Sequence, residues 1–146
     1  MTQRVIKSVL AALVILGSMQ AQAGDDVDIS LNGALKNISP QVRDGQLIGQ
    51  GQISTQQPHS GYQVWLKAER VGEAPDRYVL TGVNNSQHKL YVIIGQNGWV
   101  PDTRSGTGII KQTGEVQARF DIVANGQQNV PADIYDITVN GRYIEP

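Results

Sequence analysis

The 146-residue sequence contains no cysteine, and this absence removes several classes of protein at once. Disulfide bonds, thiolate nucleophiles and cysteine-ligated metal sites are all excluded. A small domain without disulfides has to be held together by packing alone.

Basic residues are also scarce once the N-terminus is set apart. The chain has twelve Lys and Arg against thirteen Asp and Glu, and Arg4 and Lys7 both lie close to the start. Without these two, ten basic side chains face thirteen acidic ones, a net charge of −3. We therefore expect no nucleic acid or anionic lipid partner.

The N-terminal segment has the pattern of a secretory signal. The two basic residues precede the apolar run Val9–Leu16, which is too short to span a bilayer, and Ala21-Gln22-Ala23 supplies a small-x-small cleavage site. We predict a signal peptide over residues 1–23 and one exported domain over residues 24–146. An uncleaved membrane anchor is the alternative.

Beyond the signal, the sequence predicts strands and no helix of useful length. Apolar and polar residues alternate in short segments that are separated by Gly, Pro and Asn turns. The glycines Gly49 and Gly51 predict a bulge or a close backbone approach. The predicted strands cover residues 26–35, 47–54, 61–70, 78–81, 88–94, 115–124 and 132–144, with a brief edge strand at Ile109 and Ile110.

Seven or eight short strands of this kind predict an all-β immunoglobulin-like sandwich. The alternative is a small closed barrel.

The final strand lacks a partner. Tyr135, Ile137 and Val139 fall on one side of it, and the sequence ends at Pro146 without a further strand to pair with its free edge. An open apolar edge is an aggregation hazard that native proteins cover. We expect the closing strand to come from another chain; the alternative is that Val27–Leu31 fills the edge.

The sequence shows no motif typical of a catalytic or metal-binding site. The two histidines, His59 and His88, lie in a loop and at a strand start, and no nucleophile motif accompanies them. The acidic start at Asp25, Asp26 and Asp28 lacks the glycine and glutamate of a calcium loop. We expect no enzyme activity, no metal and no cofactor.

Two tryptophans need an interpretation. Trp65 is out of phase with the apolar side of its strand, so it is either a surface contact or, as we favour, a residue that a bulge turns into the core. Trp99 lies in a Gly-Trp-Val-Pro loop and is expected to plug one end of the sandwich.

Three stretches together resemble a known family. They are GYQVWLKAERVGEAPDRYVLTG, HKLYVIIGQNGWVPDTRSGTGII and QARFDIVANGQQNVPADIYDITVNGRY. In this order they resemble the AfaD/DraD/AggB-type invasins, tip subunits of chaperone–usher fimbriae, with which the Saf-type tip subunit belongs. The resemblance runs from about Gly61 to Tyr143, and more weakly from Asp26.

The resemblance implies an incomplete immunoglobulin-like sandwich that lacks its last strand. A donor strand from another subunit would complete it by β-augmentation, and a periplasmic chaperone would do so before assembly. Carried onto this sequence, one wall of the groove consists of Tyr135, Ile137 and Val139, and the other of Val27, Ile29 and Leu31.

One departure concerns a cysteine pair. In the AfaD-type members its places correspond to Ser54 and Tyr143 here. The resemblance therefore implies a noncovalent link between the second strand and the last, and it favours the Saf-like branch.

The leading hypothesis is a non-enzymatic tip adhesin or invasin, exported through the periplasm to the fimbrial tip or also secreted. Its expected partners are a major subunit, a chaperone, an outer-membrane usher and a host-cell receptor. Only about two residues precede the first strand after Ala23, which favours the tip over the shaft, unless Val27–Leu31 is itself a donor. The alternative is a self-sufficient periplasmic or secreted β-sandwich binding module.

Overall fold

The fold is all-β throughout the described part of the chain. The computed structural model describes residues 14–23, 27–33 and 37–146, and these residues contain strands and turns but no helix. Accordingly, the described residues include no helix long and apolar enough to cross a membrane.

Fourteen strands are formed by the described residues, several of them only two residues long. In chain order they are β1 (Val14–Ala23), β2 (Asp28–Gly33), β3 (Asn37–Ile38), β4 (Gln41–Val42), β5 (Leu47–Ser54), β6 (Gly61–Leu66), β7 (Glu69–Arg70), β8 (Arg77–Thr81), β9 (Lys89–Gly95), β10 (Val100–Pro101), β11 (Ile109–Gln112), β12 (Gln117–Ala124), β13 (Gln128–Asn129) and β14 (Ile134–Ile144).

The strands form two six-stranded sheets and one two-stranded sheet. The first sheet has the order β10-β11-β6-β14-β1-β3, and the second has the order β2-β5-β12-β9-β8-β7. The small sheet pairs β13 with β4. The predicted immunoglobulin-like sandwich is thus confirmed, and the closed barrel is wrong because the ladders divide between separate sheets.

The core lies between the two large sheets, where the inward side chains of alternating strands meet. On β12, Ala118, Phe120 and Ile122 are buried, as their period-two spacing predicts. Val116 lies in the predicted strand 115–124 and in phase with these residues, but it precedes the observed strand and is 51% exposed. The alternation therefore predicts the burial only of residues within the ladder.

A bulge in β5 changes which of its residues enter the core. Ile122 pairs with Gly49 and Val123 with Leu47, so Ile48 is an extra residue on β5. Ile48 is fully buried, whereas Leu47 is only partly buried. The bulge predicted from the glycines is confirmed.

Trp99 is buried, as expected. Its indole lies edge-on to Phe120, with ring centroids 6.0 Å apart, and its Nε1–H donates to the Arg119 carbonyl at 2.6 Å. The hydrogen bond satisfies the polar atom that the buried indole brings with it.

A close approach at Gly51 yields the first prediction. A Cβ at this position would lie 2.2 Å from Phe120 Cζ, so Gly51→Ala forces the buried ring to move. We expect a loss of about 1–3 kcal/mol in unfolding free energy, measured by denaturant titration.

Gly114→Ala is the matched control, because the nearest atom to its Cβ would be 3.9 Å away. It should stay within about 0.5 kcal/mol of the wild type. Equal stabilities of the two variants would contradict the packing at Gly51.

Candidate functional site: the groove beside the last strand

The last strand, β14, lies inside the first sheet and carries three fully buried side chains. Tyr135, Ile137 and Val139 each have no exposed surface, and they alternate with outward residues along the strand. On one side, the stretch Val139–Ile144 pairs antiparallel with β6. In the described part of the chain, its other sheet neighbour is β1.

The free side of β14 is occupied by the N-terminal segment of the same chain. Strand β1 runs parallel to β14, from Ile15 opposite Ile134 to Ala23 opposite Gly141, with a register shift between Leu16 and Met19. Two of its side chains, Val14 and Leu16, are buried in the core.

This pairing refines the expectation of an open edge. Residues 27–33 and 37–146 place no strand next to β14 on that side, and β1 of the same chain lies where a strand from another chain was expected. The strand found there is part of the predicted signal peptide. An unpaired edge needs hydrogen-bond partners, and an apolar extended segment supplies both partners and side chains for the core.

The facing wall is strand β2 of the second sheet. Val27, just before it, is buried, while Ile29 and Leu31 are partly buried and pack against the core. A Cβ at Gly141 would lie 3.0 Å from Ile29 Cδ1, so the two walls approach closely at this end. The structure thus brings the two predicted sets of groove residues to the two sides of β1, which contacts both β14 and β2.

The pairing of β2 tests the alternative that Val27–Leu31 fills the free edge of β14. It pairs antiparallel with β5, from Asp28 opposite Ser54 to Gly33 opposite Gly49. Val27–Leu31 therefore does not fill the edge of β14, and that alternative is wrong.

Asp133, which the sequence analysis did not single out, fixes the start of β14. Its buried carboxylate accepts hydrogen bonds from Asn84 N at 3.0 Å, Asn85 N at 3.1 Å and His88 Nδ1 at 2.8 Å. A Cβ at Gly82 would lie 2.2 Å from Asp133 Oδ2, so the turn packs directly on the carboxylate. Its partners lie more than forty residues away in sequence, so no local pattern could have found this cluster.

The same residue also touches the occupant of the groove. The backbone carbonyl of Asp133 accepts a hydrogen bond from Ile15 N at 2.8 Å. Burial raises the pKa of the Asp133 carboxyl, but the hydrogen bonds from Asn84, Ile134 and His88 outweigh it and lower that pKa to about 2.

Tyr135, two residues after Asp133, is the first of the three fully buried side chains of β14. Burial and the nearby Asp133 carboxylate raise the pKa of Tyr135 to about 12. Its hydroxyl stays protonated and donates to the Pro131 carbonyl at 2.7 Å. The buried ring is therefore anchored at its polar end.

Trp65 fits neither of its two interpretations fully. Trp65 is partly buried and packs against the core. A Cβ added at Gly108 would lie 2.8 Å from the Cβ of Trp65. On the same side of β6, Gln63 is buried and donates to Asp102 at 3.2 Å and to the Thr107 carbonyl at 2.9 Å. The segment between Trp99 and Gly108 thus covers this face, and a contact of Trp65 with a partner stays a prediction.

Both histidines have structural partners. His59 places its ring nitrogens 2.8 Å from the Gln57 carbonyl and 2.6 Å from the Glu115 carbonyl, and His88 contacts Asp133. In the ranges that the structure describes, no three acidic or histidine side chains come together as a metal site would require.

Comparison with known proteins places this architecture among fimbrial subunits. A profile of the family described as "Enterobacteria AfaD invasin protein" matches residues 38–141. Protein AggB of Escherichia coli is 33% identical over 108 residues, which cover 73% of this chain and 74% of AggB.

Two solved structures extend the likeness to the fold. HdaB, the minor tip subunit of the E. coli Hda pilus, matches with a TM-score of 0.77 and 30% identity over 83% of this chain and 85% of HdaB. The Salmonella SafD adhesin matches with a TM-score of 0.79 and 30% identity over 83% of this chain and 86% of SafD.

The lowered pKa of Asp133 predicts an acid-sensitive groove. A carboxylate whose folded pKa is about 2, against an ordinary value of 3.8, stabilises the fold above pH 4 and loses this contribution as the pH falls towards 2. We expect melting temperatures of the wild type to drop more steeply over this range than those of Asp133→Asn. Parallel pH profiles would contradict the role of Asp133.

Proposed function

This chain belongs to the AfaD invasin family of fimbrial adhesin subunits, which are not enzymes, and on that premise we propose that it is a tip subunit that accepts a donor strand. The observation that carries the proposal is the groove beside β14, where the N-terminal segment β1 adds a strand to the sandwich.

The site beside β14 has the two components that strand addition requires, a free strand edge and an apolar groove. The edge of β14 offers backbone donors and acceptors from Ile134 to Gly141, which pair with β1 and would pair with a donor strand in its place. Tyr135, Ile137 and Val139, facing Val27, Ile29 and Leu31, form the apolar groove that alternate side chains of the added strand would enter. The ladder supplies pairing and the groove supplies selectivity.

Export would remove β1 from the groove. If signal cleavage follows Ala23, the processed chain of residues 24–146 loses β1, and the edge of β14 with its apolar groove becomes exposed. A periplasmic chaperone would then cover the groove, and the donor strand of the major subunit would replace it at the outer-membrane usher.

Attachment to host cells forms the second part of the proposal. HdaB is a pilus tip subunit and SafD an adhesin, and both share the fold and 30% identity with this chain. We extend these roles to this chain as a tip adhesin or invasin, exported through the periplasm to the cell surface.

The self-sufficient binding module remains the second candidate, because β1 belongs to the same chain as the groove that it fills. If residues 14–23 stayed attached, the sandwich would need no outside strand. Mass determination of the protein purified from the periplasm separates the two cases.

Strand acceptance predicts a large ligand-induced stabilisation. The processed chain of residues 24–146 should melt at low temperature alone. It should gain about 4 kcal/mol when a donor peptide from the major subunit is present at a thousand times its dissociation constant. Differential scanning calorimetry measures the shift.

A peptide of the same composition but with its alternation scrambled is the control, since it offers the same backbone without apolar side chains in register. A high, cooperative melting temperature that neither peptide changes would refute strand acceptance and favour the self-sufficient module.

Tip location predicts where the subunit is found on the fimbria. Immunogold labelling of an epitope at the exposed Gln56–Pro58 loop should mark fimbrial ends. Regular labelling along the length would instead identify a shaft subunit.

A further inference from the structure

The outer face of the second sheet carries a cleft that is separate from the groove. The cleft has a volume of about 310 Å³, at the lower end of the range of small-ligand sites. Its floor consists of two rows of polar side chains that cross three strands, β2, β5 and β12. The first row is Ser30, Gln52 and Arg119, and the second is Asn32, Gln50 and Asp121.

One wall of the cleft is the turn after β9. Gln96 and Asn97 have φ angles of 66° and 53°, in the left-handed region. An Asn-Gly turn accommodates this backbone at Asn97, but Gln96 is an unusual residue for it. Strained backbone of this kind persists where the surroundings hold it, and it is concentrated at functional sites.

The surroundings do hold this turn over the cleft. Lys111 Nζ donates to the Asn97 carbonyl at 2.7 Å. Trp99 N donates to the Gln96 carbonyl at 3.1 Å, and the Trp99 indole donates to the carbonyl of Arg119, which lies on the cleft floor. The wall is thus tied to the strand whose side chains form the floor.

The side chains of the cleft define the chemistry of what could bind. Amides both donate and accept, the Arg119 guanidinium donates, and the Asp121 carboxylate accepts. Among the described residues that line the cleft, the two charges cancel and no side chain is aromatic or large and apolar. This composition disfavours an apolar ligand and a polyanion, whereas it matches a molecule with many hydroxyl groups.

Contacts within the cleft orient these groups and leave capacity for a ligand. Gln52 Nε2 donates to Gln117 Oε1 at 2.8 Å, and this contact does not use the side-chain oxygen of Gln52. Gln50 Nε2 lies 3.4 Å from Asp121 Oδ1, a long contact to one of two carboxylate oxygens. Solvent-facing sheet surfaces are ordinarily polar, but here the rows are concave and walled by a strained turn.

We propose that this cleft binds a neutral saccharide unit through its hydroxyl groups. Asp121 accepts from neighbouring hydroxyls, and the Gln and Asn amides with Arg119 complete the contacts. The inference deepens the attachment part of the proposed function by naming the chemical class of the receptor and its site.

The test is an NMR titration of the full isotope-labelled chain. The probes are methyl glycosides of galactose, glucose, mannose and N-acetylglucosamine, with sialyllactose as a charged probe. At least one neutral glycoside should shift the amide signals of β2, β5, β12 and Asn97. Asp121→Asn should weaken its binding by about tenfold or more, because it replaces a charged acceptor.

Asp28→Asn is the matched control, since it makes the same charge change on the outer side of β2 outside the cleft lining. It should bind as the wild type does. The inference is overturned if no neutral glycoside binds, if the shifts lie elsewhere, if Asp121→Asn binds unchanged, or if only sialyllactose binds.

Failure of this inference can be told from failure of the proposed function. The melting shift caused by a donor peptide depends on the groove between β14 and β2, so it is read independently of any glycoside. Donor-peptide stabilisation without glycoside binding would refute only the saccharide site.

Discussion

Pairing along the free edge of β14 is the interaction on which this structure depends. Tyr135, Ile137 and Val139 are fully buried because a strand lies beside them, and the facing β2 wall packs on the same strand. Removal of that strand exposes backbone groups and apolar surface together, and both are costly. With no cysteine in the chain, no covalent link compensates.

Residues at both ends of β14 fix the shape of the groove beside it. Asp133 collects hydrogen bonds from the Asn84–His88 turn and so fixes where β14 begins. At the opposite end, Gly141 lets Ile29 and Ile53 approach the strand. Both ends of the groove are therefore defined by residues that act through packing and hydrogen bonding within the chain.

The sequence predicted most of this framework, and its failures have physical causes. Strong alternation gave β5 with its observed bounds, Leu47–Ser54, and all three buried residues of β14. The two-residue strands such as β3 and β13 were missed because so short a pairing leaves no period to detect. The Asp133 cluster and the strained Gln96 turn depend on long-range contacts and backbone angles, which a pattern of residue types does not contain.

Strand β2 has a consequence for how assembly and attachment relate. Its inward residues Ile29 and Leu31 pack against the core, where we propose the groove, whereas its outward residues Ser30 and Asn32 line the cleft. It is also an edge strand that β5 alone holds by backbone pairing within the described ranges. If both proposed sites function, filling the groove steadies β2 and thereby the cleft, and reciprocity requires a bound receptor to tighten the hold on the donor strand. A subunit would then gain affinity for its receptor at the moment it is incorporated into a fimbria.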